Sequence, residues 1–239
     1  MAIWQRRVHT LACEMYRPSG RFAYFFAQGK LRGDPIFRAL LRPGLLPSDG
    51  VFLDLGCGQG CWFAWLLAAR QVHGEGDWPV EWVPPPKPKK LRGVELTKQD
   101  AQRAVKAFAP HGEAVRIEQG DMCTAELGHP DVVTVLDALH YVDHDRQQAL
   151  LQRIHEALAP DGLFITRVGD ANGGWRYRLA NAVDHTVSAS RGYRGARLYG
   201  RPLSEWRRLL EHLGFEVQAE PMSEGQPFAN VMLVCHRAA

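Results

Sequence analysis

The feature that most constrains this chain is the run Val51-Phe52-Leu53-Asp54-Leu55, which passes without a spacer into Gly56-Cys57-Gly58-Gln59-Gly60. Val51, Phe52, Leu53 and Leu55 suit a strand covered on both faces. Three glycines at alternate positions let the backbone turn tightly and come close to a ligand. The apolar run Cys61 to Arg70 follows as a helix. Strand, glycine turn and helix compose the first half of a nucleotide-binding β-α-β unit, in which the helix N-terminus offers free N–H groups.

The spacing of the turn separates two kinds of nucleotide loop. A dinucleotide loop expects a small residue where Cys61 stands. Here Asp54 precedes three glycines in the order Asp54-x-Gly56-x-Gly58-x-Gly60. That order resembles the glycine turn of the class I S-adenosylmethionine (SAM)-dependent methyltransferases. A glycine turn without any ligand is the alternative on these residues alone.

The chain before and after the turn reads in order. Trp4, Val8, Leu11 and Met15 share one face of a helix over 3–15, which Pro18-Ser19-Gly20 ends. An aromatic and basic stretch, 21–33, precedes Asp34, which caps a short helix from Pro35 carrying Ile36, Phe37, Leu40 and Leu41. Residues 71–90 lose all periodicity and hold Trp78, Trp82 and the run Pro84-Pro85-Pro86-Lys87-Pro88, so they read as a surface insertion. Its two tryptophans are expected to pack on the body of the protein. The second strand covers 91–96, with Glu95 at its C-terminal end. A carboxylate there suits two vicinal ribose hydroxyls, and the insertion accounts for its distance from the glycines beyond the usual spacing of ~20 residues. A helix over 98–109 turns Ala101, Ala104, Val105 and Phe108 inward. Strands follow at 115–118, 131–137 and 163–168. Between the last two lies a helix that buries Leu150, Leu151, Ile154 and Leu158 and is capped by Asp143 or Asp145. Pro160-Asp161-Gly162 is a turn. Residues 169–201 carry little pattern but many aromatics and arginines, among them Trp175, Tyr177, His185, Tyr193 and Tyr199. A helix over 202–213 and strands at 215–217 and 230–235 close the chain.

The resemblance covers about residues 51–237, with its motifs in order. It implies an α/β fold: a Rossmann-like, doubly wound, mostly parallel seven-stranded sheet with helices on both faces and an antiparallel C-terminal hairpin strand. It implies SAM as cofactor and S-adenosylhomocysteine as product, held by Asp54, Leu55, Gly56, Cys57, Gly58, Gly60, Glu95 and Leu96. Asp121 takes the place of the acidic residue that binds the adenine amine, and Met122 that of the apolar side chain packing on the ring. Ala138-Leu139-His140-Tyr141-Val142 is similar to the family's L-H-x-V/I segment beside the methyl group. Asp137 joins the cofactor set, and His140 and Tyr141 are the catalytic candidates. The family places a helical cap before the first strand, here 1–48, with the main domain over 49–239 and a substrate lid at 169–201. Tyr16, Arg21, Tyr24 and Arg32 are the cap residues that could meet the carboxylate of the methionine part. The segment from Gly20 to Pro35 also resembles methyltransferases of bacterial aryl polyene pigment pathways, which implies an aromatic head group, free or carrier-bound.

Bulk properties narrow the partners. At 239 residues, 46% hydrophobic and 23% charged, the chain can bury one α/β domain with extras. A formal charge of +3 gives no basis for nucleic-acid binding. No run approaches membrane-spanning length, and Arg6 and Arg7 are followed by polar residues rather than a signal core. Five scattered cysteines suggest reduced thiols in the cytoplasm, and Cys57 and Cys61 lack a second pair at zinc spacing, so no metal is expected. The reading is a methyltransferase acting on oxygen or carbon of a small aromatic or acyl-type acceptor, as a monomer or homodimer. The absence of an Asn/Asp-Pro-Pro-Tyr/Phe run disfavours amine acceptors. A non-catalytic SAM-binding protein and a nicotinamide-dependent oxidoreductase are the two alternatives.

Overall fold

Every apolar run read as a strand forms one, and the sheet grows outward from the strand that feeds the glycine turn. The computed structural model describes residues 2–190, 197–225 and 227–237; the side chains of 184–190 lie outside the description. Contacts divide the chain into two compact units, Met1–Asp121 and Met122–Ala239.

The first unit opens with three helices, α1 (Ile3–Glu14), α2 (Arg21–Gly33) and α3 (Ile36–Leu40). Then come β1 (Val51–Leu55), α4 (Cys61–Gly74), β2 (Lys90–Glu95), α5 (Lys98–Phe108) and β3 (Val115–Gln119). The strands are parallel, with Val51 opposite Lys90 and Leu91 opposite Val115. Helix α1 packs on α4 through a buried stripe of Val8, Ala12 and Cys13. Asp34 accepts from the Ile36 amide at 3.1 Å and so caps α3 as expected. Helix α4 runs on to Gly74, past its expected end at Arg70, and the insertion proper follows. Trp78 and Trp82 pack as expected, both against Trp4 of α1 with ring centroids 4.9 and 5.1 Å away. Arg7 of α1 also pairs with Glu75 and Asp77. One expectation fails on α5: Val105 is 51% exposed, and the buried face is Asp100, Ala101, Ala104, Ala107 and Phe108.

The second unit holds β4 (Val132–Leu136), α6 (His144–Ala157), β5 (Leu163–Gly169), α7 (Trp175–Ser190), α8 (Leu203–His212), β6 (Phe215–Pro221) and β7 (Asn230–Arg237). Strands β4 and β5 are parallel, and β7 is antiparallel to both β5 and β6. Asp143 caps α6 by accepting from the Arg146 amide at 3.0 Å. The strand order of the seven-stranded sheet is β3-β2-β1-β4-β5-β7-β6, with β7 the single antiparallel member. Among the described residues no helix is long and apolar enough to cross a membrane.

Candidate functional site

The turn between β1 and α4 is built around the C-terminal end of β2. Gly56, Gly58 and Gly60 have φ of 72°, 57° and 75°, a region that glycine enters without steric cost. The amides of Gly56 and Cys57 both donate to the Val94 carbonyl, at 2.8 and 3.1 Å. The Gly58 amide donates to Glu95 Oε2 at 2.8 Å, and the Thr97 amide to Glu95 Oε1 at 2.7 Å. Glu95 is 7% exposed, so two backbone donors fix a nearly buried carboxylate whose oxygens retain further acceptor capacity. The glycines differ in what they face. A Cβ on Gly60 would lie 2.5 Å from the Phe108 ring, whereas one on Gly58 would meet nothing within 4 Å among the described residues. Gly60 is required by packing against α5, while Gly58 borders open space that a ligand could occupy.

Cys57 points the other way. A Cβ on Gly93 of β2 would stand 2.8 Å from the Cys57 sulfur, so that glycine makes room for the thiol under the turn. Burial pushes the thiol well above its ordinary value, and the carboxylates of Asp54 and Glu95 push it further. These electrostatic contacts place Asp54, Cys57 and Glu95 together. Asp54 and Leu55 are buried at the end of β1, and Leu96, just past β2, is 55% exposed. Asp121 is half-buried just after β3.

The cap reaches the turn through Tyr16, which is fully buried and donates its hydroxyl to the Gln59 carbonyl at 2.8 Å. Gln59 in turn donates its side-chain amide to Asp100 of α5 at 3.1 Å, and Arg103 bonds the same carboxylate at 2.9 Å. Gln59 Oε1 is buried and accepts no hydrogen bond among the described residues, which leaves an acceptor in the glycine turn for an outside donor. Arg21 and Arg32 are exposed on α2, and the Tyr24 ring lies under the Arg17 guanidinium at 4.7 Å. The α2 cation that does influence the turn is Lys30. It pairs with the nearly buried Asp34 at 2.8 Å, and both act on the Cys61 thiol at the start of α4.

In the second unit, Asp137 follows β4 with φ 56°, the one positive φ at a non-glycine among the described residues. Arg167 of β5, 3% exposed, holds it in place. Its Nε donates to Asp137 Oδ1 at 2.7 Å, Nη2 donates to the other oxygen, and the Asp137 amide donates to the Arg167 carbonyl at 3.3 Å. His140 and Tyr141 share a single 3₁₀ turn, Leu139–Tyr141, with ring centroids 4.2 Å apart. Tyr141 is 37% exposed, while Met122 is half-buried. Tyr177 anchors the start of α7: a Cβ on Gly200 would run into its hydroxyl, and one on Gly169 would stand 3.3 Å from its ring. Tyr193, Arg191 and Arg194, read as part of the lid, lie outside the described residues, as does the His185 side chain.

Sequence reasoning missed three polar residues here. Arg167 had a visible signal, a lone cation in the apolar run of β5. Gln147, whose side-chain amide is within hydrogen-bond distance of the Leu139 and Val142 carbonyls on either side of His140 and Tyr141, had none, since a glutamine in the first turn of a helix reads as solvated. Lys30 was passed over for the neighbouring arginines.

The methyltransferase-domain family model matches residues 27–220, and the chain belongs to that family. No curated protein matches the sequence. Among solved structures, an O-methyltransferase family protein from Burkholderia thailandensis is 17% identical with a TM-score of 0.64, over 90% of this chain and 57% of that one. Magnesium protoporphyrin IX methyltransferase from Synechocystis PCC 6803, solved with bound SAH, is 16% identical with a TM-score of 0.58, over 94% of both chains. Human N-acetylserotonin methyltransferase, in complex with SAM, is 16% identical with a TM-score of 0.57, over 96% of this chain and 59% of that one. This chain thus spans 57% of the Burkholderia protein and 59% of the human one. At these identities the likeness is one of fold, the Rossmann-like fold of class I methyltransferases.

Proposed function

We propose that this chain transfers the methyl group of SAM to an oxygen or carbon of a small aromatic or acyl-type acceptor, free or carrier-bound, in the cytoplasm. The observation that carries the reading is the Glu95 carboxylate, fixed by the Gly58 and Thr97 amides beside open space at Gly58. That arrangement fits a ribose diol donating to the carboxylate and a methionine backbone passing over Gly58. The Gln59 Oε1 acceptor and the Lys30 ammonium fit the amino and carboxylate ends of the methionine part. Asp54, Leu55, Gly56, Cys57 and Gly60 shape the turn, with Cys57 contributing through its burial. Leu96, Asp121 and Met122 serve the ribose and adenine, Asp137 serves the cofactor as a residue held by Arg167, and Arg32 is a secondary cation of the cap. The cap spans 1–48 and the main domain 49–239.

Bound SAM supplies an electrophilic methyl on a cationic sulfur. The chain's part is to hold the acceptor in line with it and to keep water away. His140 accepts the acceptor's proton, a role open to histidine near neutral pH, and Tyr141 lines the acceptor side. Calorimetry with SAM, S-adenosylhomocysteine and NAD, followed by a panel of phenolic and carrier-bound acyl acceptors, tests this. SAM binding with turnover of one acceptor class is expected, and binding of NAD alone would refute it. In His140→Ala, SAM affinity should persist while turnover falls by roughly 10²–10⁴-fold, a loss that shrinks as pH rises and the acceptor ionises unaided. Parent turnover in that variant would remove His140 from the chemistry.

A further inference from the structure

The turn carrying His140 and Tyr141 is short, polar and held from outside its own backbone. The buried group that does so is Gln147 of α6, fully shielded from solvent. Its Nε2 lies 3.0 Å from the Leu139 carbonyl, 2.8 Å from the Val142 carbonyl and 2.8 Å from the Tyr199 carbonyl. Its Oε1 accepts from Arg201 Nε at 2.8 Å, and Arg201 also donates to the His144 carbonyl at 3.2 Å. The Tyr199 amide closes the ring by donating to the His140 carbonyl at 2.8 Å.

The far side of this hub is the neck of the segment between β5 and α8. Asp170 and Arg201 form a β-bridge, and the Ala171 amide donates to the Arg201 carbonyl at 3.1 Å. The Leu203 amide donates to Asp170 Oδ1 at 3.0 Å. The two ends of the segment are therefore stitched to each other, and one side chain fastens the stitched neck to the His140–Tyr141 turn. An apolar residue of equal size would fill the volume but take the Gln147 donor from the Leu139, Val142 and Tyr199 carbonyls and the Gln147 acceptor from Arg201. A buried group left short of its bond costs more than the net gain of an ordinary hydrogen bond.

We propose that Gln147 is a positioning residue, which sets the His140–Tyr141 turn and joins it to the Asp170–Arg201 neck so that the two are ordered together. The proposal rests on the reading that this turn serves the acceptor, but its test does not use turnover. Gln147→Met keeps the volume and removes both the donors that the three carbonyls share and the acceptor of Arg201. Hydrogen exchange should accelerate about tenfold or more in peptides covering both 138–143 and 197–203, with β1 and β2 unchanged. The ring Cε1–H NMR signal of His140, assigned by its loss in His140→Ala, should move while that of His212 stays in place. Parent exchange in either segment, or an unmoved His140 signal, would overturn the proposal, because a residue that merely fills space is replaced by methionine without either change. If that variant does not fold, Gln147→Glu decides: the carboxylate still accepts from Arg201 but no longer donates, so 138–143 should loosen while 201–203 exchange at the parent rate. Equal behaviour of the two segments in that variant would overturn it. Titration of the parent protein with SAM, run alongside, tests the methyltransferase reading separately from the coupling.

Discussion

Glu95 shows how much a single carboxylate can organise. Its two oxygens hold the amides of Gly58 and Thr97 and so fix the glycine turn before any ligand arrives. Gln at this position would keep one acceptor and set an NH₂ group against a backbone N–H. Glu95→Gln is therefore expected to weaken SAM binding by roughly 1–3 kcal/mol, about a 5- to 150-fold rise in Kd by calorimetry. Parent affinity would show that the carboxylate is occupied with the turn alone. Glu95 was legible in the sequence because an acidic residue closing the second strand of such a unit has a chemical purpose. Gly93 was not, because the thiol that needs its missing Cβ belongs to the glycine turn, a helix and an insertion earlier in the chain.

Among the elements, strands were easier to read than helices. The strands are apolar runs bounded by turn residues, and each appears where expected. The bounds of helix α2 within the helical cap do not follow from periodicity, because its buried stripe is Ala23, Ala27 and Leu31, while the large Phe22 and Phe25 are 61% and 57% exposed. Small residues inside and aromatics outside invert the pattern on which a sequence reading relies. On α5 the same difficulty misplaced Val105, since alanines carry most of the buried face. Just after α1, the Tyr16 hydroxyl makes a polar contact with the turn, donating to the Gln59 carbonyl. Tyr16→Phe leaves that carbonyl without its donor in a dry site. It should cost about 1–3 kcal/mol, a fall in Tm of roughly 2–4 °C for each kcal/mol in a chain of this size. Parent thermal stability would mean that water replaces the hydroxyl.

Across the whole molecule, the fold holds its four buried thiols in the neutral form. Burial raises Cys13 to about 12 and Cys61 to about 11 from an ordinary 9.0, and raises Cys57 and Cys235 as well. Unfolding lets each ionise at its ordinary value. The stability they contribute is complete below pH 9 and declines as pH rises toward 11 for Cys61 and 12 for Cys13. Removing one thiol should flatten that decline. A series of melts from pH 8 to 11 should show the parent losing stability relative to Cys61→Ala as pH passes 9, and a constant difference would refute the assignment.

The indoles of Trp4, Trp78 and Trp82 stand 4.9, 5.1 and 5.8 Å apart by ring centroid, at mutual tilts of 60°, 59° and 78°. Chromophores so close share their electronic excitation, and the tilts give the shared transition a handedness. The triad couples the first helix of the chain to the insertion after α4, so the part of its circular dichroism that Trp4 contributes exists only while that helix is seated. The protein carries its own optical gauge of whether the cap is in place, readable without a label.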